Sequence, residues 1–256
     1  MNFRILDAGD TALTIELGDR LDRRLLAAVA AVDEALAKAI AGGDLPGIVE
    51  TVPTFRSLTV IYDPLLTSRA EIEPGIRAAI AAAVAVSVRR RGRLWQLPVC
   101  YGDQIAACGP DLEALAEACD LTPAEVIRLH STGTYEVYML GFLPGFPFMG
   151  DLPEVLARPR RSEPRTRVPA GSVATAGTLT AIYPWESPGG WHLIGACPVP
   201  LFSVAWPQAA LLLPGDRVCW RAIDAAEYHS LSDEMPAMSA SPLPPGAFLL
   251  TDEAPR

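Results

Sequence analysis

Five arginines lie close together in the middle of the chain, beside a single glutamate: Arg158, Arg160, Arg161, Arg165 and Arg167. Guanidinium groups bind carboxylates and phosphates through paired hydrogen bonds. Arg160, Arg165 and Arg167 are therefore predicted to bind an anionic substrate or a phosphate group. The alternative is that the cluster pairs with acidic residues of this protein or of a partner, because surface ion pairs are common.

Two turns rich in glycine and proline accompany the arginines: Pro169-Ala170-Gly171-Ser172 and Pro188-Gly189-Gly190. Successive N–H groups in such turns can hold an oxyanion. The predicted substrate- or phosphate-binding residues of these turns are Gly171, Ser172, Gly189 and Gly190. Neither turn has the G-x-x-x-x-G-K-[ST] spacing of a nucleotide-binding loop, and each glycine can instead serve the geometry of its turn.

His192 and Tyr183 are the candidate catalytic residues. Histidine titrates near neutral pH and can transfer protons, although His192 can also be structural. His130 ends a predicted helix and is predicted to be structural. No second histidine or carboxylate stands at metal-ligand spacing, so the sequence predicts no metal site. The G-x-S-x-G motif of many serine hydrolases is absent from the sequence as well.

Phe146, Leu179 and Trp191 are the predicted wall of the pocket. Most aromatic residues between positions 141 and 195 are expected to fill the core or an interface, and a minority to face a ligand. Proline and glycine recur so often in this stretch that no long helix can pass through it. Short strands joined by turns must therefore position the candidate residues.

Composition limits the classes of protein that remain. Half of the 256 residues are hydrophobic and the net charge is −9, so a packed core is expected and general nucleic-acid binding is not. Five cysteines form no C-x-x-C pair, which is typical of reduced core thiols. The first residues contain no apolar signal core, and the alanine-rich run 78–86 is too short to span a membrane. The sequence predicts a cytoplasmic protein that binds neither nucleic acid nor membrane.

The first 88 residues are predicted to form a small α+β domain. Apolar residues at helical spacing indicate one helix that Asp19 caps and Gly42-Gly43 ends, and a second over residues 68–83. The predicted strands are residues 3–6, 12–17, 48–52, 57–62 and 84–88. Such a pattern is typical of helices that cover one face of a sheet. The arginine-rich run 89–93 is predicted to be a solvated linker, with an anion site as the alternative.

Residues 94–223 are predicted to form a second, mainly β domain. It begins with a strand over 94–101 and two short helices. Asp111 is predicted to cap the first helix, and Thr122 and Glu125 form a capping box at the second. The later predicted strands are residues 135–141, 171–175, 179–183, 191–195, 201–204 and 217–222, which favours a closed barrel or a sandwich. Residues 224–256 are predicted to be a peripheral, partly disordered tail.

Several long motifs also follow one another in a characteristic order. They are Gly9-Asp10-Thr11-Ala12-Leu13, Val52-Pro53-Thr54-Phe55-Arg56-Ser57-Leu58, Tyr62-Asp63-Pro64, Gly141-Phe142-Leu143-Pro144-Gly145-Phe146-Pro147-Phe148, Pro159-Arg160-Arg161, Pro164-Arg165, Val168-Pro169-Ala170-Gly171-Ser172-Val173 and Ser187-Pro188-Gly189-Gly190-Trp191-His192-Leu193-Ile194-Gly195. Together they resemble the B subunit of the bacterial ATP-dependent 5-oxoprolinase, a family also called allophanate hydrolase subunit 1 or KipI. The resemblance extends over most of the chain.

The resemblance implies an α/β-sandwich amino-terminal domain followed by a cyclophilin-like β-barrel. It implies a partner, the C subunit, with a second cyclophilin-like fold, and a TIM-barrel-like A subunit. Together such subunits hydrolyse 5-oxoproline with ATP and Mg²⁺, and this chain is expected to be inactive without its partner. The substrate is then a small anionic or amide compound. Two alternatives stay open: a protein that inhibits a sensor histidine kinase through its barrel, and the carboxyltransferase half of an allophanate hydrolase or urea carboxylase system.

Two positions differ from the pattern of the family. Leu179 stands where the family usually has glutamine, and Ala196 stands where it usually has arginine. If both positions line the cavity, the pocket has lost hydrogen-bonding groups for 5-oxoproline. The sequence then predicts weak turnover of 5-oxoproline and a preference for a less acidic lactam or amide.

Overall fold

The computed structural model describes residues 3–20, 22–85, 92–102, 104, 109–240 and 246–251. The chain divides into two compact units, Met1–Arg90 and Arg91–Arg256. The predicted α+β class is confirmed, since the first unit contains a separate sheet with helices and the second a closed β-barrel. No helix within the described ranges is both long and apolar enough to span a bilayer.

The first unit has a four-stranded antiparallel sheet and two helices. Its elements are β1 (Arg4–Asp7), β2 (Ala12–Glu16), α1 (Arg23–Ala41), β3 (Ile48–Pro53), β4 (Ser57–Tyr62) and α2 (Arg69–Ala85). The strands lie in the order β1-β2-β4-β3. Alternate residues of β2 such as Leu13 and Ile15 are fully buried with Val32 of α1 and Ile76 of α2. One sheet face and two helical stripes therefore make this core.

Two predictions for the first unit are wrong. The side chain of Asp22, and not that of Asp19, caps α1, because it accepts a hydrogen bond from the backbone N–H of Arg24 at 2.6 Å. Residues 84–85, predicted to begin a strand, are the last turn of α2. The rest of that predicted strand, residues 86–88, lies outside the described residues.

The described part of the second unit contains ten strands and three α-helices. They are β5 (Leu94–Tyr101), α3 (Leu112–Ala118), α4 (Pro123–Ser131), β6 (Thr134–Leu140), β7 (Pro147–Met149), β8 (Arg165–Val168), β9 (Ser172–Ala176), β10 (Leu179–Ile182), β11 (Ser187–Gly189), β12 (His192–Ala196), β13 (Arg217–Ile223), α5 (Ala225–Ala240) and β14 (Leu249–Thr251).

Seven of these strands close a barrel in the order β12-β9-β10-β7-β6-β13-β5, because β12 also pairs with β5. Residues Trp95, Leu97 and Val99 alternate along β5 and belong to the main buried cluster of this unit. The short strands β8 and β11 pair only with each other among the described strands. This small two-stranded sheet carries two of the predicted binding arginines.

A buried carboxylate joins the first and last long strands of the barrel. Asp216 precedes β13 and accepts hydrogen bonds from Nη2 of Arg93 at 2.8 Å and from Nε1 of Trp95 at 3.1 Å. Arg93 therefore has a structural ion pair, and its assignment to a solvated linker is wrong. Residues 89–91 of that predicted linker lie outside the described residues.

The described part of the carboxyl-terminal segment is folded, so the predicted disorder does not apply to residues 224–240 and 246–251. Helix α5 packs Tyr228 and Leu231 against a small cluster formed by Cys100, Ala196 and Ile223. Strand β14 pairs with β5 at the other end of that strand. The segment thus extends the barrel and covers one of its faces.

Two local predictions for this unit have different outcomes. The capping box of α4 is confirmed, because Thr122 and Glu125 exchange side chain to backbone hydrogen bonds. The strand predicted over residues 201–204 is wrong, since only Phe202 makes an isolated bridge, to Ala210. Residues 201 and 203 belong to no regular element, and residue 204 begins a turn.

Candidate functional site

Asp111 organises the arginine-rich segment. Its carboxylate is buried and accepts hydrogen bonds from Nη2 of Arg165 at 2.6 Å and from Nη1 of Arg161 at 3.1 Å. It also accepts the backbone N–H of Leu193 at 2.8 Å. The predicted capping of α3 by this side chain is wrong, because the carboxylate makes no hydrogen bond to the helix terminus. Two guanidinium groups therefore share one carboxylate.

A pocket of about 340 Å³ lies beside this ion-pair cluster, and we call it the arginine pocket. It is lined by Pro110, Arg165, Arg167, Pro169, Glu186 and Leu193. Arg165 and Arg167 share one face of β8, because side chains alternate along a strand. Nε of Arg167 donates to Oε2 of Glu186 at 2.7 Å. The pocket thus presents two cations, one anion and apolar walls.

Two nitrogen atoms of the cluster carry no internal hydrogen bond. Nε of Arg161 and Nη1 of Arg165 are buried and have no hydrogen-bond partner in the described structure. Buried donors without partners are costly. Because Asp111 balances only one of its two arginines, this arrangement can accept a further anionic oxygen.

The remaining predicted arginines have structural contacts. Arg158 donates to the backbone carbonyl oxygen of Ala118 at 2.6 and 2.9 Å, at the end of α3. The guanidinium carbon of Arg160 lies 5.9 Å from the ring centre of Trp191, a cation–π contact. Neither of these arginines lines the arginine pocket.

The predicted pocket wall is an aromatic core outside the arginine pocket. Phe146 is buried and contacts Tyr183 and Trp191 edge to face, with ring centres 5.1 and 6.2 Å apart. Leu179 is partly buried against the same cluster. These side chains form a buried cluster with alanines of β9 and β10, so they serve packing in the described structure.

The two candidate catalytic residues have different environments. Nε2 of His192 donates a hydrogen bond to the carbonyl oxygen of Pro159 at 2.9 Å, which leaves Nδ1 as the free ring nitrogen. Tyr183 is buried, and this burial raises the pKa of its hydroxyl. The structure does not bring His192 and Tyr183 to the arginine pocket.

A second, smaller pocket of about 180 Å³ contains Gly171 and Tyr183. Tyr228 and Ser232 of α5 form part of its lining. Gly171 has a φ of +82°, which favours glycine, so the turn itself requires this residue. The neighbouring Ser172 hydroxyl is buried and has no hydrogen-bond partner in the described structure.

Two glycines that were predicted to contact substrate, Gly189 and Gly190, make structural contacts within the chain. A β-carbon at Gly189 would overlap the hydroxyl of Tyr183 and lie 2.9 Å from its Cζ. The carbonyl oxygen of Gly190 accepts the backbone N–H of Arg161 at 2.8 Å. Gly189 therefore allows the close approach of β11 to Tyr183, whereas Gly190 has space for a β-carbon, with its nearest neighbours at 3.7 Å.

The predicted site residues thus fall into three adjoining groups, because the aromatic core shares Tyr183 with the smaller pocket and Leu193 with the arginine pocket. Arg165 and Arg167 line the arginine pocket, Gly171 and Tyr183 line the smaller one, and the pocket-wall residues pack in the aromatic core. Sequence reasoning missed Asp111 as the partner of the arginines, and Glu186. The position of Asp111 directly after Gly109-Pro110 is the sequence signal that could have suggested this role. A carboxylate that follows such a turn can pair with arginines far away in the chain.

A chain with an α+β unit and a barrel of this topology has the architecture of a carboxyltransferase-type domain, and the comparisons agree. Residues 3–212 match the family described as carboxyltransferase domain, subdomain C and D. The B subunit of 5-oxoprolinase from Bacillus subtilis is 37% identical over 248 residues, which cover 91% of this chain and 98% of that protein. The chain belongs to the family of 5-oxoprolinase B subunits, and the resemblance predicted from its motifs is confirmed.

Two solved structures are similar in fold. The protein in the crystal structure of TTHA0988 is 34% identical to this chain in sequence, and the two structures align with a TM-score of 0.71. The alignment covers 84% of this chain and only 40% of that chain. Urea carboxylase of Kluyveromyces lactis is 18% identical with a TM-score of 0.74, over 94% of this chain and 23% of that chain. The second likeness concerns the fold alone. In both structures the matched region is one part of a longer polypeptide.

Proposed function

We propose that this chain is the B subunit of an ATP-dependent 5-oxoprolinase-type complex, a hydrolase of small lactams or amides. The observation that carries the proposal is the arginine pocket in a chain that matches a protein named as a 5-oxoprolinase B subunit over 98% of its length. A substrate with a carboxylate beside a small ring suits two guanidinium groups and walls of proline and leucine.

The residues of the pocket have distinct roles in this proposal. Arg165 and Arg167 hold the anionic group of the substrate, and Asp111 fixes the orientation of Arg165. Pro110, Pro169 and Leu193 exclude water, which strengthens the electrostatic interactions within the pocket.

The pocket also fits part of the proposed nucleotide. Nη1 of Arg165, a residue that lines the pocket, has no hydrogen-bond partner in the described structure and suits a phosphoryl oxygen. ATP would supply a phosphoryl group that converts the unreactive amide oxygen into a leaving group. In the described residues no three His, Cys, Asp or Glu side chains are grouped to hold a metal ion. In this proposal the assembled complex binds ATP with Mg²⁺, and the pocket here contributes cations.

The proposed partners are a C-type chain and an A-type chain, the C and A subunits that the family resemblance implies. The naming of the relatives as B subunits supports a complex of several chains. The match to only 40% of the TTHA0988 chain supports it too, since that polypeptide continues beyond the matched region. The protein is proposed to be inactive alone and to act in the cytoplasm.

Reconstitution with both partners tests the proposed function. We expect 5-oxoproline to stimulate ATP hydrolysis, and Arg165→Ala or Arg167→Ala to weaken substrate binding by about 1–3 kcal/mol. Arg221→Ala is the matched control. It breaks the ion pair of Arg221 with Glu227, which lies outside the pocket and has the same 2.7 Å length as the ion pair of Arg167 with Glu186. The assigned site is wrong if all three variants lose the same amount of substrate affinity, or if both pocket variants bind the substrate normally.

A carboxyltransferase half is the second candidate function. The family match over residues 3–212 favours it, because that family is described by its carboxyltransferase domain. Transfer of the carboxyl group from carboxybiotin to urea by the same reconstituted complex, without stimulation of ATP hydrolysis by 5-oxoproline, would select this alternative.

A further inference from the structure

Four apolar side chains lie on three loops that meet, and we call them the aromatic patch: Phe142, Trp185, Phe202 and Val204. Trp185 contacts Phe202 and hydrogen-bonds Pro144 in the turn of Phe142, and Val204 follows Phe202 by two residues. Phe142 is 63% exposed, Trp185 46% and Val204 87%, while Phe202 is half-buried. The ring centres of Trp185 and Phe202 lie 6.2 Å apart, with the rings close to edge to face. Scattered surface apolar residues are ordinary, whereas a contiguous group of large ones is typical of an interaction site.

The patch is held rigidly. Nε1 of Trp185 donates to the carbonyl oxygen of Pro144 at 3.1 Å. The hydroxyl of Ser203, beside Val204, donates to the carbonyl oxygen of Ser239 in α5 at 2.6 Å. Rigid aromatic side chains lose little entropy when a partner covers them.

Phe142 is displayed at a conformational cost. Its φ is +66°, a region that non-glycine residues rarely adopt. The N–H of Leu143 reaches the carbonyl oxygen of Gly141 at 2.7 Å, which closes a tight turn around Phe142. Strain of this kind clusters at functional positions. Within the chain the ring contacts only Phe146 among the aromatic rings of the described residues, edge to face at 5.6 Å, and most of it is left exposed.

We propose that the aromatic patch is the docking surface for a different polypeptide, the C-type chain, and this inference rests on the proposed function. A second copy of this chain is a poor occupant, because two molecules of net charge −9 repel each other. In TTHA0988 the matched region is 40% of the polypeptide, so in that protein a similar module is covalently continuous with further protein. The partner surface is expected to be apolar and uncharged, with a groove for aromatic rings.

The patch also borders the arginine pocket. Glu186 lines that pocket and directly follows Trp185 in the chain. A partner seated on Trp185 therefore reaches the edge of the pocket and can supply the wall and the polar groups that the single chain lacks. Docking on this surface completes the site.

Titration calorimetry with the C-type chain of the same organism tests the surface. We expect Phe142→Gly and Val204→Asp each to raise Kd about tenfold or more, as for central interface residues. Phe142→Gly should keep or raise the melting temperature, because glycine tolerates the positive φ. Leu65→Asp is the control, since Leu65 is 91% exposed outside the patch, and its Kd should change less than twofold.

The outcomes separate the docking surface from the proposed function. If both patch variants bind the C-type chain as tightly as the wild type does, the assignment of the docking surface is wrong. The proposed function still stands in that case if the complex forms and is active. A wild-type chain that never binds the C-type chain overturns the proposed partnership, and the surface with it. A dimer of the chain alone that Val204→Asp dissociates overturns the assignment to a different polypeptide.

Discussion

Arg165 and Asp111 form an ion pair of 2.6 Å between β8 and the start of α3. Asp111 precedes both β8 and β12 in the chain, and it also accepts the backbone N–H of Leu193 in β12. One buried carboxylate thus fixes the position of a pocket arginine and of the strand behind the pocket. The geometry of the site depends on this carboxylate more than on any arginine alone.

We predict that Asp111→Asn lowers the free energy of unfolding by about 2–4 kcal/mol. The reason is that Arg161 and Arg165 lose their shared anion while they stay largely buried. Urea denaturation measures the change. Glu113→Gln is the control, because Glu113 is exposed in the first turn of α3 and should shift the midpoint little. A variant as stable as the control would show that solvent, and not Asp111, balances the arginines.

His130 lies in the barrel interior with both ring nitrogens occupied, which confirms its predicted structural role. The hydroxyl of Thr180 donates to the carbonyl oxygen of Ala174, so it accepts a hydrogen bond from Nε2 of His130 at 3.0 Å. Nδ1 then accepts from the hydroxyl of Tyr101 at 2.7 Å. Trp220 stacks on the imidazole at 5.2 Å. This network requires the neutral ring.

The neutral His130 predicts a loss of stability in mild acid. Burial lowers its pKa from 6.5 to about 3. Below pH 6.5 the unfolded chain binds a proton that the folded chain does not, so the free energy of unfolding falls with pH by up to about 1.4 kcal/mol per pH unit. Three glutamates with lowered pKa add their own loss only below about 4.5: Glu16, Glu73 and Glu125. Between pH 6.5 and 4.5 the slope therefore reports His130.

Denaturation at several pH values, together with NMR titration of the imidazoles, checks this prediction. His130 should keep the shifts of a neutral ring down to pH 4.5, and His130→Gln should flatten the slope in that window. His229→Gln is the control, since His229 is exposed. An imidazole of His130 that titrates near pH 6.5 in the folded protein would contradict the buried network.

Features that depend on neighbouring residues could be predicted from the sequence. Thr122 and Glu125 lie three positions apart and can meet only at the start of α4, so their capping box follows from local spacing. The alternation of apolar residues in β2 and β5 similarly determines which face is buried.

Features that depend on distant residues could not be predicted in the same way. Asp111 contacts arginines 50 and 54 residues further along the chain, and no local pattern records that pairing. Helix α5 was missed because Pro236 lies inside it and its Pro-, Ser- and Ala-rich composition resembles a linker. Tertiary packing against Ala196 and Ile223 stabilises it nonetheless.

We predict that Gly189→Ala destabilises the protein by about 1–3 kcal/mol through overpacking. The added methyl group would overlap the hydroxyl of Tyr183, whose ring is held by Phe146. Gly190→Ala is the matched control, because a β-carbon there meets neighbours only at 3.7 Å. Thermal unfolding compares them, and Tyr183→Phe combined with Gly189→Ala should recover part of the loss. If Gly190→Ala abolishes substrate binding without a loss of stability, the glycine contacts the substrate after all.

The last prediction concerns the two positions that differ from the family pattern. Leu179 packs in the aromatic core, and Ala196 is fully buried in β12 beneath Tyr228 and Leu231 of α5. Neither residue lines the arginine pocket or the smaller pocket. We therefore expect Leu179→Gln with Ala196→Arg not to raise the stimulation of ATP hydrolysis by 5-oxoproline.

Ala196→Arg alone should cost about 3 kcal/mol or more, because a guanidinium group would be buried among apolar side chains without a carboxylate. The guanidinium group reaches solvent most simply if α5 is displaced from the barrel. Limited proteolysis should therefore cleave between residues 225 and 240 in this variant and not in the wild type. Ala78→Arg on the exposed face of α2 controls for the added charge. Higher turnover of 5-oxoproline with an intact α5 would show that position 196 reaches the substrate, and that the helix leaves this face when the complex assembles.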